Sequence, residues 1–165
     1  MFPETIDQTG VNPLAYVEAT CRGKSDELLG RSPPLLGPTD ILICADTIIA
    51  QGDRILEKPA SEEDAFFMLK SLSGTSHAVL TAVRLSRGLR SLSFVERTTV
   101  HFAALDDSAI RAYVATGDPM DKAGGYGYQS QGASFISGIE GCYYNVVGLP
   151  AHALCTHLIQ LIKTE

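Results

Sequence analysis

Two patterns of apolar residues alternate along the chain, and they predict two kinds of secondary structure. Apolar residues are nearly continuous over residues 40–50, which is typical of a strand whose two faces are both covered by helices. Elsewhere they recur at spacings of three and four positions, which predicts amphipathic helices. We place these helices at residues 13–29, 62–72, 107–115 and 150–163.

The ends of the predicted helices carry residues that favour a helix start or stop. Asn12 precedes the first helix, Ser61 precedes the second, and Asp106 or Asp107 precedes the third. Short polar side chains at these positions accept hydrogen bonds from the free N–H groups of a first turn. Gly74 follows the second helix, where a left-handed residue commonly ends the helical conformation. These signals support the predicted boundaries.

Two strand-like segments, residues 77–85 and 92–102, are joined by a short turn of Arg, Gly and Ser, which predicts a hairpin. Strands and helices therefore interleave, and we expect an α/β or α+β fold with a mixed sheet. The chain has 165 residues, of which 45% are apolar and 19% are charged. This size and composition suit a single domain over residues 1–165 with a sizeable core.

Charge and cysteine usage exclude several classes of function. The net charge of −6 argues against a nucleic-acid polymer or an anionic membrane as the main partner. No apolar run approaches the roughly eighteen residues that a membrane span needs, and the first residues lack the pattern of a signal peptide. The four cysteines are scattered without metal-ligand spacing, so we expect reduced thiols and a cytoplasmic protein.

Asp46 is the first candidate for chemistry, because a lone carboxylate lies within the apolar run of residues 40–50. Burying such a group is costly unless a cation, a metal ion or several donors stabilise it. It could therefore orient a water molecule as a general base or bind Mg²⁺ beside a phosphate. The alternative is an ordinary aspartate that caps a local turn. Thr47 points to the opposite side of an ideal strand, so both residues face one ligand only at a strand end or bulge.

Two further segments have the composition of an anion site. Lys58 precedes a proline that stiffens the approach to the second helix, although it also fits an ordinary solvated lysine. The glycine-rich segment 117–129 allows positive φ and exposed N–H groups, and it contains Lys122. Tyr126 or Tyr128 could stack on a base, and Gln129 could hydrogen-bond a base edge. An ordinary tight loop explains this composition equally well.

Together these segments resemble the Maf (septum formation) family of nucleotide pyrophosphatases. The resemblance covers nearly the whole chain and several motifs in a fixed order. The matching motifs are ADT at 45–47, LEKP at 56–59, LKSLSG at 69–74, Tyr113, GDPMDKAGGYGYQ at 117–129 and NVVGLP at 145–150. A weaker match includes Tyr16, Val17 and Lys24.

The resemblance implies an elongated α/β fold, similar to that of inosine triphosphatases, in which a mixed sheet is flanked by helices and a cleft separates two lobes. It implies hydrolysis of nucleoside triphosphates between the α and β phosphates, to a monophosphate and pyrophosphate, with Mg²⁺ or Mn²⁺. The ADT motif followed by YGYQ is similar to the branch that prefers dTTP, UTP and related pyrimidine nucleotides. Related proteins often form dimers, which makes a homodimer an option.

On the matching positions, the resemblance assigns roles to individual side chains. Asp46 would be the catalytic acid that helps to activate water, with or without direct metal contact. Thr47 and Gln129 would belong to base recognition. The residues that would bind the phosphates are Lys24, Lys58 and Lys122, and the nearest match to the family's acidic residue before the first lysine is Glu4, or Asp7 if the spacing slips.

One family motif has no counterpart in this sequence. The family normally begins with a strand and a Ser-x-Ser-Pro-Arg-Arg loop that serves the triphosphate, whereas this chain begins at Met1-Phe2-Pro3-Glu4. We therefore expect an N-terminally truncated relative. The alternative function is a Maf-like nucleotide-binding or regulatory protein with weak or no catalysis, and a purine-selective hydrolase of similar shape is a third.

Overall fold

Five strands and five α-helices make up the described part of the protein. The computed structural model describes residues 11–31, 36–37 and 39–163. The helices are α1 Pro13–Leu29, α2 Glu62–Leu72, α3 Asp107–Val114, α4 Tyr143–Val147 and α5 Ala151–Lys163. The strands are β1 Leu42–Gln51, β2 Arg54–Leu56, β3 Ser76–Arg87, β4 Arg90–Phe102 and β5 Ile136–Glu140. Between α3 and β5 the chain forms three short 3₁₀ turns.

The strands form one sheet in the order β2-β1-β3-β4-β5, flanked by helices, which confirms the predicted α/β class. The predicted hairpin is also confirmed, since β3 and β4 pair from Ser76 opposite His101 to Arg87 opposite Arg90. Every pairing among the described strands is antiparallel, whereas we expected a mixed sheet. The reason is that β2 forms a hairpin with β1 and so reverses the direction of the chain. The connection through α2 then brings β3 to the other side of β1, where β3 runs in the direction of β2 and therefore antiparallel to β1.

The predicted helix ends agree with the structure. The Asn12 side chain accepts a hydrogen bond from the N–H of Leu14 at 2.9 Å, and the Ser61 hydroxyl accepts one from Asp64 at 3.1 Å. Of the two candidate caps for α3, Asp106 is the cap and Asp107 is the first helical residue. None of the described helices is long and apolar enough to cross a membrane.

Strand β1 is paired unequally on its two sides. It pairs with β3 from Leu42 opposite Ser86 to Ala50 opposite Ala78. On its other side β2 pairs only with residues 49–51. Among the described residues, no strand therefore covers the second edge of β1 over residues 42–48.

The two faces of the sheet are covered differently. On one face α1 places Val17 and Cys21 against Cys44 and Ile48 of β1. On the other face there are two separate apolar clusters, and each covers one end of the sheet. The first, with α2 and α3, contains Ile49, Val79, Leu69, Leu72 and Ile110, and the second, with α5, contains Val83, Leu85, Leu154 and Leu161.

His77 is a buried, titratable residue of β3 in this core. Its side chain is 3% exposed, and its Nε2 lies 2.7 Å from the hydroxyl of Tyr126. Burial, with a smaller effect from His101, lowers the pKa of His77 to about 4. The unfolded chain therefore binds a proton at this histidine below about pH 6.5, whereas the folded protein does not until about pH 4.

We expect this histidine to make folding stability fall as the pH is lowered from 6.5 to 4. Replacing His77 with Phe should remove about 3 kcal/mol from the difference between the free energies of unfolding at pH 7 and pH 4. Urea denaturation at both pH values measures this difference. His152→Phe, on the exposed side of α5, is the matched control and should keep the wild-type difference. Equal differences in wild type and His77→Phe would contradict the assignment.

Candidate active site

A cleft of about 600 Å³ lies along the open edge of β1. Its walls are β1, the segment 118–130 and the end of α4 with Gly148. All of the predicted site residues that the structure describes line this cleft, namely Lys24, Asp46, Thr47, Lys58, Lys122 and Gln129. Glu4 and its alternative Asp7 lie outside the described residues. The sequence therefore predicted the composition of the cleft from segments that are far apart in the chain.

Asp46 lies on the α1 side of β1 and forms an ion pair with Lys24. Only 12% of the Asp46 side chain is exposed, and burial raises the pKa of this carboxyl group. The ion pair with Lys24 opposes that effect, and so does the charge of Lys58, while the nearby charge of Glu57 adds to it. Burial prevails, so the pKa of Asp46 stays above its usual value.

Asp46 and Thr47 both line the cleft although they point to opposite faces of the sheet. We expected this only at a strand end or a bulge, yet the register of β1 with β3 is continuous through both residues. The open edge of residues 42–48 is the physical reason, because a cleft that runs along an edge can reach side chains from both faces.

Glu57 was not predicted as a site residue, although it belongs to the LEKP motif. Its Oε1 accepts a 2.5 Å hydrogen bond from the hydroxyl of Tyr16 on α1. Burial, followed by the hydrogen bond to Glu57 and its charge, raises the pKa of Tyr16 to about 12. Tyr16 is therefore a neutral donor at physiological pH, and it holds a second carboxylate close to Asp46. The signal that could have indicated the pair of Tyr16 and Glu57 was the family match that includes Tyr16 and Lys24, both of which lie on α1.

The carboxylate of Asp118 organises the glycine-rich segment. It accepts 2.5 Å hydrogen bonds from the hydroxyl groups of Tyr113 and Ser130. Burial acts to raise the pKa of Asp118, but the hydrogen bonds from Ser130, Tyr113 and Lys122 outweigh it and lower the pKa. Asp118 therefore remains ionised and joins both ends of the segment to α3.

Lys122 contacts two carboxylates in addition to lining the cleft. Its Nζ lies 3.0 Å from Asp118 Oδ1 and 2.6 Å from Asp121 Oδ1, and it also donates to the carbonyl of Asp118. Two negative charges thus surround one positive charge. Lys122 therefore contributes to the shape of the segment, and any phosphate must compete with Asp118 and Asp121 for it.

Gly117, Gly124 and Gly125 of this segment have positive φ, as predicted, but the N–H groups of Gly124, Gly125 and Gly127 point inward. The N–H of Gly124 donates to the carbonyl of Glu57 at 3.0 Å, and the N–H of Gly125 donates to the backbone carbonyl of Lys122 at 3.0 Å. The N–H of Gly127 donates to the hydroxyl of Tyr113 at 3.2 Å. The expectation of N–H groups exposed to an anion is therefore wrong for these three residues. The small size of Gly124 instead allows the segment to approach Ile49 of β1 closely.

The two tyrosines of the segment have different environments. Tyr126 is 5% exposed, packs edge-on against Phe102 and contacts His77, so its ring belongs mainly to the core. Tyr128 lines the cleft and makes an edge contact with Tyr143, with ring centroids 4.9 Å apart. Tyr128 is therefore the better placed of the two for stacking on a base.

Behind Thr47 lies a chain of buried polar groups. The Thr47 and Thr81 hydroxyl oxygens are 2.9 Å apart, and Thr81 Oγ1 is 3.2 Å from the carbonyl oxygen of Asn145. The fully buried Asn145 side chain donates to Val79 and Thr98, at 3.1 and 3.0 Å. These bonds hold α4 on the sheet and so position the cleft wall formed by the end of this helix. That wall consists of Val146, Val147 and Gly148.

The sequence is similar to those of known proteins over nearly its whole length. The family model described as Maf-like protein matches residues 1–161. A dTTP/UTP pyrophosphatase of Carboxydothermus hydrogenoformans is 41% identical over 159 residues, covering 94% of this chain and 83% of that protein. Proteins of the same name are 44% identical in Clostridium perfringens, covering 91% of this chain and 77% of the relative, and 42% identical in Photorhabdus laumondii, covering 94% and 79%.

We expect Gly124 to be essential for the fit between the glycine-rich segment and β1. Its φ is +71°, and a Cβ at this position would lie 2.3 Å from Ile49 Cδ1. Gly124→Ala should therefore lower the free energy of unfolding by about 3 kcal/mol, from left-handed strain and overpacking combined. Urea denaturation measures this loss.

Gly52→Ala is the matched control, because Gly52 has φ +60° and no atom within 4 Å of the new Cβ. Gly52→Ala should lower the free energy of unfolding by only about 1 kcal/mol, from left-handed backbone strain alone. Combining Gly124→Ala with Ile49→Val should recover part of the loss, since the clashing methyl group is removed. If Gly124→Ala and Gly52→Ala were equally destabilising, close packing against Ile49 would play no part.

Proposed function

The chain belongs to the family of Maf-like proteins, and from this premise we propose that it hydrolyses dTTP, UTP or related pyrimidine nucleoside triphosphates to a monophosphate and pyrophosphate. The observation that carries the proposal is the position of Asp46 at the open edge of β1, inside a cleft with cations on one side and apolar residues on the other. The names of the relatives support the same activity.

The two ends of the cleft suit the two ends of a nucleotide. Lys24 and Lys58 lie at the end that contains Asp46, where their charges can offset those of a triphosphate. The wall of Val146, Val147 and Gly148 lies beside Thr47, since a Cβ at Gly148 would be 3.6 Å from Thr47 Oγ1, and we take it as the other end. We assign the triphosphate to the lysine end and the base to the apolar end, where Thr47 and Gln129 supply polar groups.

Asp46 would act as the base that orients the attacking water. A general base works best when its pKa is close to the operating pH, and burial moves the pKa of Asp46 in that direction. Lys24 keeps this carboxylate in place, and Lys58 and the ion pair limit how far its pKa rises. In-line attack on a phosphorus atom would then release pyrophosphate, with the lysines stabilising the charge on the leaving group.

The donor set fits a divalent metal ion that is shared with the substrate. Among the described residues there is no group of three His, Cys, Asp or Glu side chains that could hold a metal by itself. Mg²⁺ commonly uses one or two carboxylates together with phosphate oxygens and water. Asp46 would hold the ion, with Glu57 as the nearest additional carboxylate. Mg²⁺ or Mn²⁺ would neutralise charge on the phosphates.

Three further expectations concern Lys122, the cellular location and the oligomeric state. Lys122 would reach a phosphate only by leaving Asp118 or Asp121. The four cysteines are free thiols, which supports a cytoplasmic location, and we retain the homodimer as an expectation from the family resemblance. The relatives named as pyrophosphatases give no support to a silent nucleotide-binding protein.

Asp46→Asn is expected to reduce pyrophosphate release from dTTP and UTP by at least about a hundredfold, because it removes the base at nearly constant volume. The measurement is pyrophosphate release with Mg²⁺ or Mn²⁺, alongside thermal unfolding. Asp53→Asn is the matched control, since Asp53 is exposed in the β1–β2 turn and does not line the cleft. A folded Asp46→Asn protein with wild-type turnover would remove Asp46 from the mechanism.

Lys24→Met is expected to move the acid limb of the pH profile of kcat/KM to higher pH. Lys24 lowers the pKa of Asp46, so its removal should raise that pKa, and the carboxylate then becomes ionised only at higher pH. Lys70→Met is the control, because Lys70 pairs with Asp107 outside the cleft. An acid limb that stays at the wild-type pH in Lys24→Met would show that the two groups are not coupled during turnover.

A further inference from the structure

The buried threonine behind Thr47 has no role in the function described so far. Thr81 belongs to β3, directly opposite Thr47 in the register of the sheet, and it is fully buried. Its hydroxyl oxygen has two polar neighbours, the Thr47 hydroxyl at 2.9 Å and the carbonyl of Asn145 at 3.2 Å. A buried hydroxyl cannot exchange either neighbour for solvent.

Counting protons assigns a direction to both hydrogen bonds. A carbonyl oxygen only accepts, so the single hydroxyl proton of Thr81 must point to Asn145. Thr81 then has only lone pairs left for Thr47, and Thr47 must be the donor in their hydrogen bond. Any other assignment would place two oxygen lone pairs against each other in a buried site, which is costly.

The carbonyl of Asn145, the last acceptor in this series of hydrogen bonds, is held in place by further contacts. The carbonyl of Asn145 also accepts the N–H of Gly148 at 3.0 Å. The Asn145 side chain is fully buried and donates to Val79 and Thr98. The peptide group therefore cannot turn away from Thr81, and the direction of the two hydroxyl bonds is fixed by the fold.

Thr47 consequently presents only lone pairs to the cleft. We propose that Thr81, acting through Thr47, is a specificity-determining residue that makes the site select bases whose ring edge donates an N–H group. Thymine and uracil carry such a donor at N3, whereas cytosine has an acceptor there and would meet the Thr47 oxygen with a second lone pair. This inference rests on the proposed function, since it assumes that the base lies beside Thr47.

The selection works by hydrogen-bond direction and not by size. Uracil and cytosine have nearly the same shape, so a purely apolar wall would separate them poorly. A site that hydrogen-bonds a donor group rejects an analogue that lacks it, because a desolvated polar group is then left unpaired. Thr81 is a positioning residue in this sense and does not itself contact the nucleotide.

The first test uses the unmodified protein and three non-cleavable ligands. They are the α,β-imido analogues of UTP, CTP and 3-methyluridine triphosphate, in which N–H replaces the oxygen between the α and β phosphates. Calorimetry with Mg²⁺ should show the uridine analogue binding at least about tenfold more tightly than the other two. Equal binding of the uridine and 3-methyluridine analogues would overturn the inference without any variant.

The second test uses Thr81→Val with Thr81→Ser as its matched control. Valine has the shape of threonine but no hydroxyl, so Thr47 becomes free to rotate and to donate to cytosine. The preference for the uridine over the cytidine analogue should fall about tenfold in Thr81→Val and stay near the wild-type value in Thr81→Ser. An unchanged preference in folded Thr81→Val would overturn the proposal. If that variant does not fold, the 3-methyluridine comparison decides.

Pyrophosphate release from UTP and CTP by the same proteins separates the two proposals. If the wild-type protein binds the analogues with the expected preference but releases no pyrophosphate, the proposed function is wrong and the binding selectivity holds. If it releases pyrophosphate equally from UTP and CTP, the proposed function holds and the role of Thr81 is wrong.

Discussion

The site depends on the continuous pairing of β1 with β3. This pairing fixes Asp46 on the face of α1 and Thr47 on the opposite face, between the two apolar clusters. Because β2 covers only residues 49–51 on the other side, the edge beside these two residues is open in the described part of the chain. The carboxylate of Asp46 and the hydroxyl of Thr47 thus occupy consecutive positions of one strand and still line one cleft.

Much of the fold could be predicted because its longer elements carry strong local signals. The Asn12 and Ser61 caps mark helix starts that the structure reproduces, and the hairpin of β3 and β4 follows from two long strand-like segments. The elements that were missed are β2, β5 and α4, each of five residues or fewer. Such segments are too short to show a period, and contacts with distant residues decide their conformation.

The sequence predicted which residues line the cleft but not the hydrogen bonds that connect them to the rest of the protein. Asp46, Lys58 and Gln129 stand in recognisable motifs, and all of them line the cleft. The partners that define their environment come from elsewhere in the chain, such as Tyr16 for Glu57 and Thr81 for Thr47. Glycine composition could not reveal the direction of the backbone N–H groups either, because this direction depends on which acceptors the folded chain brings nearby.

The open edge of β1 also bears on how this strand could pair with another chain. An uncovered strand edge with apolar neighbours, here including the 43% exposed Ile43, is a template for pairing with a second chain. Charged side chains placed at such an edge are a known protection against this pairing. Asp46 and Lys24 place two charged groups beside this strand, where they oppose its pairing with another chain. A substitution at either residue therefore changes the protection of a strand edge as well as the lining of the cleft.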